Sequence, residues 1–187
     1  MSSSMTEHDP LLLSAYHKAI QEYAEPLKSF AARMLTEEPE YAEDVTQDAF
    51  LALYRHLHAV PEHAWRPWLF RVLRNLCLDR IRRWKHKPRA FRTLADEENR
   101  DPIHADLASS DPAAQAEVKE IHKDLELAIA DLPEKFREVF LLCEREGLSY
   151  EQVASILDIP LKTVSTRLYR ARQRLLKSMS KYLEVSS

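Results

Sequence analysis

The chain has 187 residues, 45% of them hydrophobic and 30% charged, with a formal net charge of −3. That balance suits a globular protein of one ordinary domain or two small ones. Two cysteines, Cys77 and Cys143, exclude a disulfide framework, and a single glycine in the whole chain argues against a strand-rich fold, which needs glycine at hairpins and bulges. The first residues, MSSSMTEHDP, have neither the basic start nor the apolar core of a secretory signal. No apolar run approaches the roughly 18 residues of a membrane span. A cytoplasmic protein with reduced thiols and no membrane insertion is expected.

In chain order, AIQEYAEPLKSFAARML places Ile20, Tyr23, Leu27, Phe30 and Met34 at helical spacing, with Pro26 expected to break or restart the helix. PEYAEDVTQDAFLALYRHL reads as a second helix, with Val45, Ala49, Leu53 and Leu57 on one face and Asp44, Gln47, Asp48 and Leu51 on the other. RPWLFRVLRNLCLDRIRRWK reads as a third, with Leu69, Val72, Leu73 and Leu76 as core and Trp68 expected among them. The pattern then lapses over HKPRAFRTLADEENRDPIHADLASSDPAAQ, which reads as a linker. It resumes with Val118, Ile121, Leu125, Ile129 and Leu132 up to Pro133, then Phe136, Val139, Phe140 and Cys143 up to Gly147, which is placed as a C-terminal cap.

After Gly147, SYEQ fits a capping box with Ser149 as N-cap and Gln152 reaching back. A short helix buries Val153, Ala154, Ile156 and Leu157, DIP makes a tight break, and Pro160 suits the first turn of the next helix. That helix buries Leu161, Val164, Leu168, Ala171 and Leu175. At about 100° per residue, Thr163, Thr166, Arg170, Arg174 and Lys177 share the opposite face, flanked by Lys162 and Arg167, with Ser165 in the same hydroxyl-rich run. Two helices joined by a tight turn, the second basic along one face, describe a helix-turn-helix that reads duplex DNA.

The charge is segregated. Arg66–Arg92 carries ten Lys or Arg against one acid, and Pro160–Lys181 seven against none. Thr36–Phe50 has six acids and no base, and Thr93–Glu126 has ten acids against three bases. Two basic blocks separated by acidic ones point to two polyanion contacts and at least one different partner. In the first basic block the aromatics Trp65 and Trp84 accompany Arg66, Arg71, Arg74, Asn75, Arg80, Arg82, Arg83 and Lys85. Stacking rings, cations and a base-edge amide are what single-stranded DNA requires. Leu51 among acids is an apolar anchor in an acidic rim, which points to a protein contact. His56, His58 and His63 lack an i, i+4 pair and a nearby cysteine, and no nucleophile–base pair or glycine-rich phosphate loop is visible, so no metal, cofactor or catalytic residue is expected.

AEDVTQDAFLALYRHL followed by WRPWLFRVLRNLCLDRIRRWKHK resembles region 2 of bacterial sigma factors, and LPEKFREVFLLCEREGLSYEQVASILDIPLKTVSTRLYRARQRL resembles region 4. The order and the short linker are those of the extracytoplasmic-function (ECF) group of the sigma-70 family. The resemblance implies an all-α fold of two small helical domains: region 2 over residues 10–88, a flexible linker over 89–114, and region 4 over 115–187. It implies a core RNA polymerase contact through Asp44, Gln47, Asp48 and Leu51. It further implies a minus-ten element read as melted non-template strand by Trp65, Arg66, Arg71, Arg74, Asn75, Arg80, Arg82, Arg83 and Trp84. A minus-thirty-five duplex would be read by Lys162, Thr163, Ser165, Thr166, Arg167, Arg170 and Arg174. An anti-sigma factor is an implied partner, a free monomer is expected, and the acidic linker is expected to thread the polymerase channels. Asp158 stands where the family often has Gly, and Lys162 and Ser165 depart from its usual Gly and Lys. The rival readings are a plain helix-turn-helix regulator that binds duplex DNA without polymerase, and a nucleic-acid enzyme, which the lack of metal and acid clusters in the sequence opposes.

Overall fold

The computed structural model describes residues 9–86 and 112–183, and among them every regular element is helical. Helix α1, Pro10–Met34, starts where the Asp9 carboxylate accepts from the Leu11 N–H at 2.9 Å, with Pro10 in the first turn. Pro26 does not break it. The lost backbone bond is tolerated because the helix is anchored on both sides of the proline, by Tyr16 and Ala19 before it and Leu27, Phe30, Ala31 and Met34 after it. A 3₁₀ turn, Pro39–Tyr41, leads into α2, Ala42–Arg55, and another, Glu62–Ala64, into α3, Trp65–Lys85. The three helices pack together through Ala49 and Leu53 of α2 and Leu69, Phe70, Leu73 and Cys77 of α3, with Phe30 and Phe70 edge to face at 5.5 Å.

The second half begins with α4, Pro112–Ala130, so the last three residues of the expected linker are already helical. Residues 87–111, which include the remainder of that linker, lie outside the described residues. Helix α5, Glu134–Phe140, runs on through one π-helical turn, Leu141–Arg145. Gly147 follows at φ +62°, a left-handed conformation natural to glycine, and lets the Leu148 N–H reach back to Leu142 O at 3.0 Å. Helix α6, Tyr150–Leu157, carries the expected capping box: Ser149 Oγ accepts from the Gln152 N–H at 3.2 Å, and Gln152 Oε1 from the Ser149 N–H at 2.9 Å. Asp158 adopts φ 53°, ψ 51° and closes the turn into α7, Leu161–Ser178, with Pro160 as its N-cap. Helix α7 buries Val164, Leu168, Ala171 and Leu175, but Leu161, expected in the core, is exposed at the first position of the helix. A last turn, α8, spans Ser180–Leu183.

Ion pairs and hydrogen bonds link the two halves, whose buried apolar residues form one continuous cluster. Arg33 on α1 pairs with Glu126 on α4 at 2.8 Å, and Glu126 also takes Arg145 at 2.6 Å. The buried Arg137 guanidinium donates across the seam to Met34 O at 3.3 Å, and within its own half to Ala130 O at 2.5 Å and Leu132 O at 2.9 Å. Desolvation pulls the Arg137 pKa below the usual arginine value, with Glu134, Glu37 and Asp131 opposing.

Candidate nucleic-acid and polymerase interfaces

Helix α7 presents the face expected of it. Lys162, Ser165, Thr166, Arg170 and Arg174 are exposed, and Thr163 is half-buried. The Thr166 hydroxyl donates to Lys162 O at 2.9 Å, so its oxygen remains an acceptor towards the outside. The Arg174 guanidinium lies over the Phe136 ring, 5.3 Å from its centroid, a cation–π contact that ties it to α5. Arg167 turns inward, half-buried, with Nη1 3.4 Å from Glu138 Oε1. Sequence reasoning missed Tyr169: it is 63% exposed, one turn from Ser165 and next to Arg170. Its place off the core stripe was the available signal, since an aromatic with no core position on a basic helix is a contact candidate.

Helix α3 and the turn before it are arranged less simply. Trp65 is 3% exposed, and its Nε1–H donates to Val60 O at 2.8 Å. Its ring does not present the stacking face expected of it. The 3₁₀ turn Glu62–Ala64 winds it into the first position of α3, beneath the loop it pins. Trp68, expected in the core, is only half-buried and meets the exposed His56 ring at 5.8 Å. Trp84 is half-buried and lines a cleft of about 220 Å³ where the ends of α1 and α3 meet the start of α5. Arg80 pairs with Glu38 at 2.8 Å and lies over the Tyr41 ring, which ties it into its own bundle. Arg82 pairs with Asp79 at 2.9 Å on the exposed helix surface, Lys85 reaches Glu134 at 3.5 Å, and Arg83 is exposed. Asn75 is exposed, with its carbonyl oxygen 3.5 Å from Arg74 Nη1.

Three of the arginines on α3 reach into the second half. Arg66 Nη2 donates to Glu146 O at 2.5 Å. Arg71 Nη2 donates to Ser155 O at 2.6 Å and Ser155 Oγ at 2.7 Å. Arg74 Nε pairs with Glu138 Oε2 at 2.8 Å. Nothing in the helical periodicity announced that Glu138 would be buried; a charged residue inside an amphipathic stretch reads as a solvated one.

On α2 the acidic-apolar face stands as expected. Asp44, Gln47 and Asp48 are exposed, and Leu51 is 49% exposed, while Val45, Ala49 and Leu53 are buried. Tyr54, three residues on from Leu51 and also exposed, extends the apolar part of the patch. Burial raises the Cys77 thiol pKa to about 12 and that of Cys143 to about 11, far from a reactive thiolate. Among the described residues no group of three or more His, Cys, Asp or Glu is placed to hold a metal, and no helix is long and apolar enough to cross a membrane.

Residues 19–87 match the family model of sigma-70 region 2, and residues 122–175 that of sigma-70, region 4. The ECF RNA polymerase sigma factor SigM of Bacillus subtilis is 34% identical over 143 residues, covering 75% of this chain and 81% of that protein. The chain belongs to the ECF sigma factors. The sigma-H factor of Pseudomonas aeruginosa is 31% identical over 173 residues, 90% of this sigma factor and 88% of that one. The ECF sigma factor SigE of Mycolicibacterium smegmatis is 29% identical over 174 residues, 93% of this chain but only 65% of SigE's own length. Two solved structures share the fold. The sigma factor RpoE of Bartonella quintana, in complex with the anti-sigma factor NepR, aligns with TM-score 0.67 at 23% identity, over 88% of this chain and 96% of that one. CnrH, in complex with the cytosolic domain of CnrY, aligns with TM-score 0.57 at 24% identity, over 95% and 97%. As a member of this group the chain is an alternative sigma factor, which binds core RNA polymerase and directs promoter recognition and transcription initiation. The region 2 match sets aside the free-standing helix-turn-helix regulator, which has no use for that domain.

Proposed function

We propose that this ECF sigma factor divides its work among three faces, all of them binding rather than catalytic. The α2 face of Asp44, Gln47, Asp48 and Leu51 docks on a basic surface of core polymerase. The outer face of α7, with Lys162, Thr163, Ser165, Thr166, Tyr169, Arg170 and Arg174, enters the major groove of the upstream promoter element, and Arg167 helps to orient that helix through Glu138. Arg66, Arg71, Arg74, Asn75, Arg82, Arg83 and Trp84 hold the melted non-template strand at the downstream element. Trp65 and Arg80 serve that site from below, as supports of the loop and bundle. A cytoplasmic location follows from this work, and an anti-sigma factor is a fitting regulator, since the Bartonella quintana neighbour was solved with one.

The observation that carries the proposal is the placing of Leu51, half-exposed amid acids on a helix whose other side is sealed in the core. An apolar anchor with a charged rim is built to bind protein. Burying a leucine side chain is worth about 1.5–3 kcal/mol, and reversing an interfacial charge costs several more. Asp48→Arg combined with Leu51→Ala should therefore lower affinity for core polymerase at least about a hundredfold, while the thermal melt stays close to wild type. A folded double variant that still competes normally for core would sink the assignment.

A further inference from the structure

We infer that Lys162 and Thr166 form a two-base reading unit on α7: Lys162 selects a guanine, and Thr166 selects the amino group of an adenine or cytosine close to it. This rests on the reading of α7 as the major-groove helix and names the bases that the helix reads. At about 100° per residue, both side chains fall within about 30° of the line opposite the buried stripe of Val164, Leu168, Ala171 and Leu175. Both are exposed. The first turns of a helix docked in the groove face base edges, and cations further along meet phosphates.

The cations of α7 are not equivalent. In its first two turns, Leu161–Leu168, the basic residues are Lys162 and Arg167. Arg167 is half-buried, with Nη1 3.4 Å from Glu138. Further along, Arg172 pairs with Glu144, and Arg174 lies over the Phe136 ring. Lys162 is thus the exposed cation of the base-reading turns. An ammonium has donors and no acceptor, and guanine presents two acceptors, O6 and N7, to the major groove. Adenine sets an amino group beside its one acceptor, thymine a methyl group beside its own, and cytosine shows only an amino group. Guanine is therefore the base that Lys162 prefers.

Thr166 is committed in the opposite sense. A carbonyl oxygen only accepts, so in the 2.9 Å contact between Thr166 Oγ1 and Lys162 O the hydroxyl is the donor. Its proton is spent inside the helix, and the oxygen offers lone pairs alone. A free hydroxyl would suit any base by rotating; the intrahelical bond removes that freedom. In the major groove adenine N6 and cytosine N4 donate, whereas guanine and thymine would set acceptor against acceptor. Four residues advance α7 by about 6 Å, against about 3.4 Å per base pair. The two bases therefore lie one or two steps apart.

The test uses the full chain assembled with core polymerase and a promoter library whose upstream element is degenerate. Bound duplexes are sequenced for wild type, Lys162→Gln, Thr166→Val and Thr166→Ser. Wild type should favour guanine at one position and adenine or cytosine one or two pairs away, each at least about tenfold over the disfavoured bases. Lys162→Gln should exchange the guanine for adenine, whose N6 and N7 match a glutamine amide, and leave the second position alone. Thr166→Val should lose the second preference alone, and Thr166→Ser should keep it. Both positions are exposed, so Tm should stay near wild type. A wild type that selects no guanine overturns the inference without any variant. So does a Lys162→Gln protein that binds every sequence equally more weakly, the mark of a phosphate contact, or a Thr166→Val protein that keeps the wild-type preference. Transcription that starts normally with no base preference anywhere in the upstream element would remove the groove-reading role of α7, and this inference with it. Base preferences that are present but unchanged in the variants would remove this inference alone.

Discussion

Trp65 supports the downstream loop through a fully packed ring and one hydrogen bond, so its removal tests support against stacking. Trp65→Ala should destabilise the fold by about 3–5 kcal/mol, seen as a large drop in Tm. If Tm were unchanged and only single-strand affinity fell, the ring would be a stacking group after all. Glu146 offers a test by pH. Burial holds its carboxyl above the ordinary glutamate range, against the pull of Arg66, Arg33 and Arg145. A carboxyl raised on folding binds its proton more tightly in the folded state. Its contribution therefore favours the fold at low pH and is lost as pH rises through the raised value. Glu146→Gln should raise Tm at neutral pH and make no difference below the carboxylate range; a lower Tm at neutral pH would mean that its arginines outweigh its burial. At this scale the sequence was partly legible. The outward set of α7 and the Asp44–Leu51 face follow from helical phase alone. The inward Trp65, Arg80, Arg137 and Glu138 do not, because a tryptophan or a charged residue is the same letter whether it meets solvent, a nucleic acid or another helix, and only the docking of distant segments decides.

At the scale of elements, the helix-turn-helix rests on two local devices. The capping box satisfies two orphan donors at the start of α6, and Ser149→Ala should cost about 1 kcal/mol. Asp158 holds a left-handed conformation that glycine adopts without strain, so Asp158→Gly should stabilise by roughly 0.5–1 kcal/mol. Both are read by thermal or urea melts, and a destabilised Asp158→Gly protein would show that the aspartate side chain contributes more than its backbone strain removes. These elements were legible because cap, turn and stripe residues act within a few positions of each other. Pro26 was misread because local chemistry says that a proline breaks a helix, whereas packing on both sides of it carries α1 through. The π-helical turn at Leu141–Arg145 left no local signature; Gly147 marked only where it ends.

At the scale of the whole molecule, order and composition were enough to expect two helical domains, since regions 2 and 4 each carry their own periodic stripes and caps. How the domains sit on each other was not legible. The seam is built from arginines meeting carbonyls and carboxylates more than sixty residues away, and no pattern in the chain ranks one such pairing above another. The central claim, that this ECF sigma factor confers promoter-specific initiation, is tested most directly by mapping transcription starts from a genomic promoter library with purified core polymerase, with and without the chain. The account predicts a discrete set of starts that appears only when both are present and disappears with Asp48→Arg plus Leu51→Ala. The same starts from core polymerase alone, or none with the chain added, would contradict it.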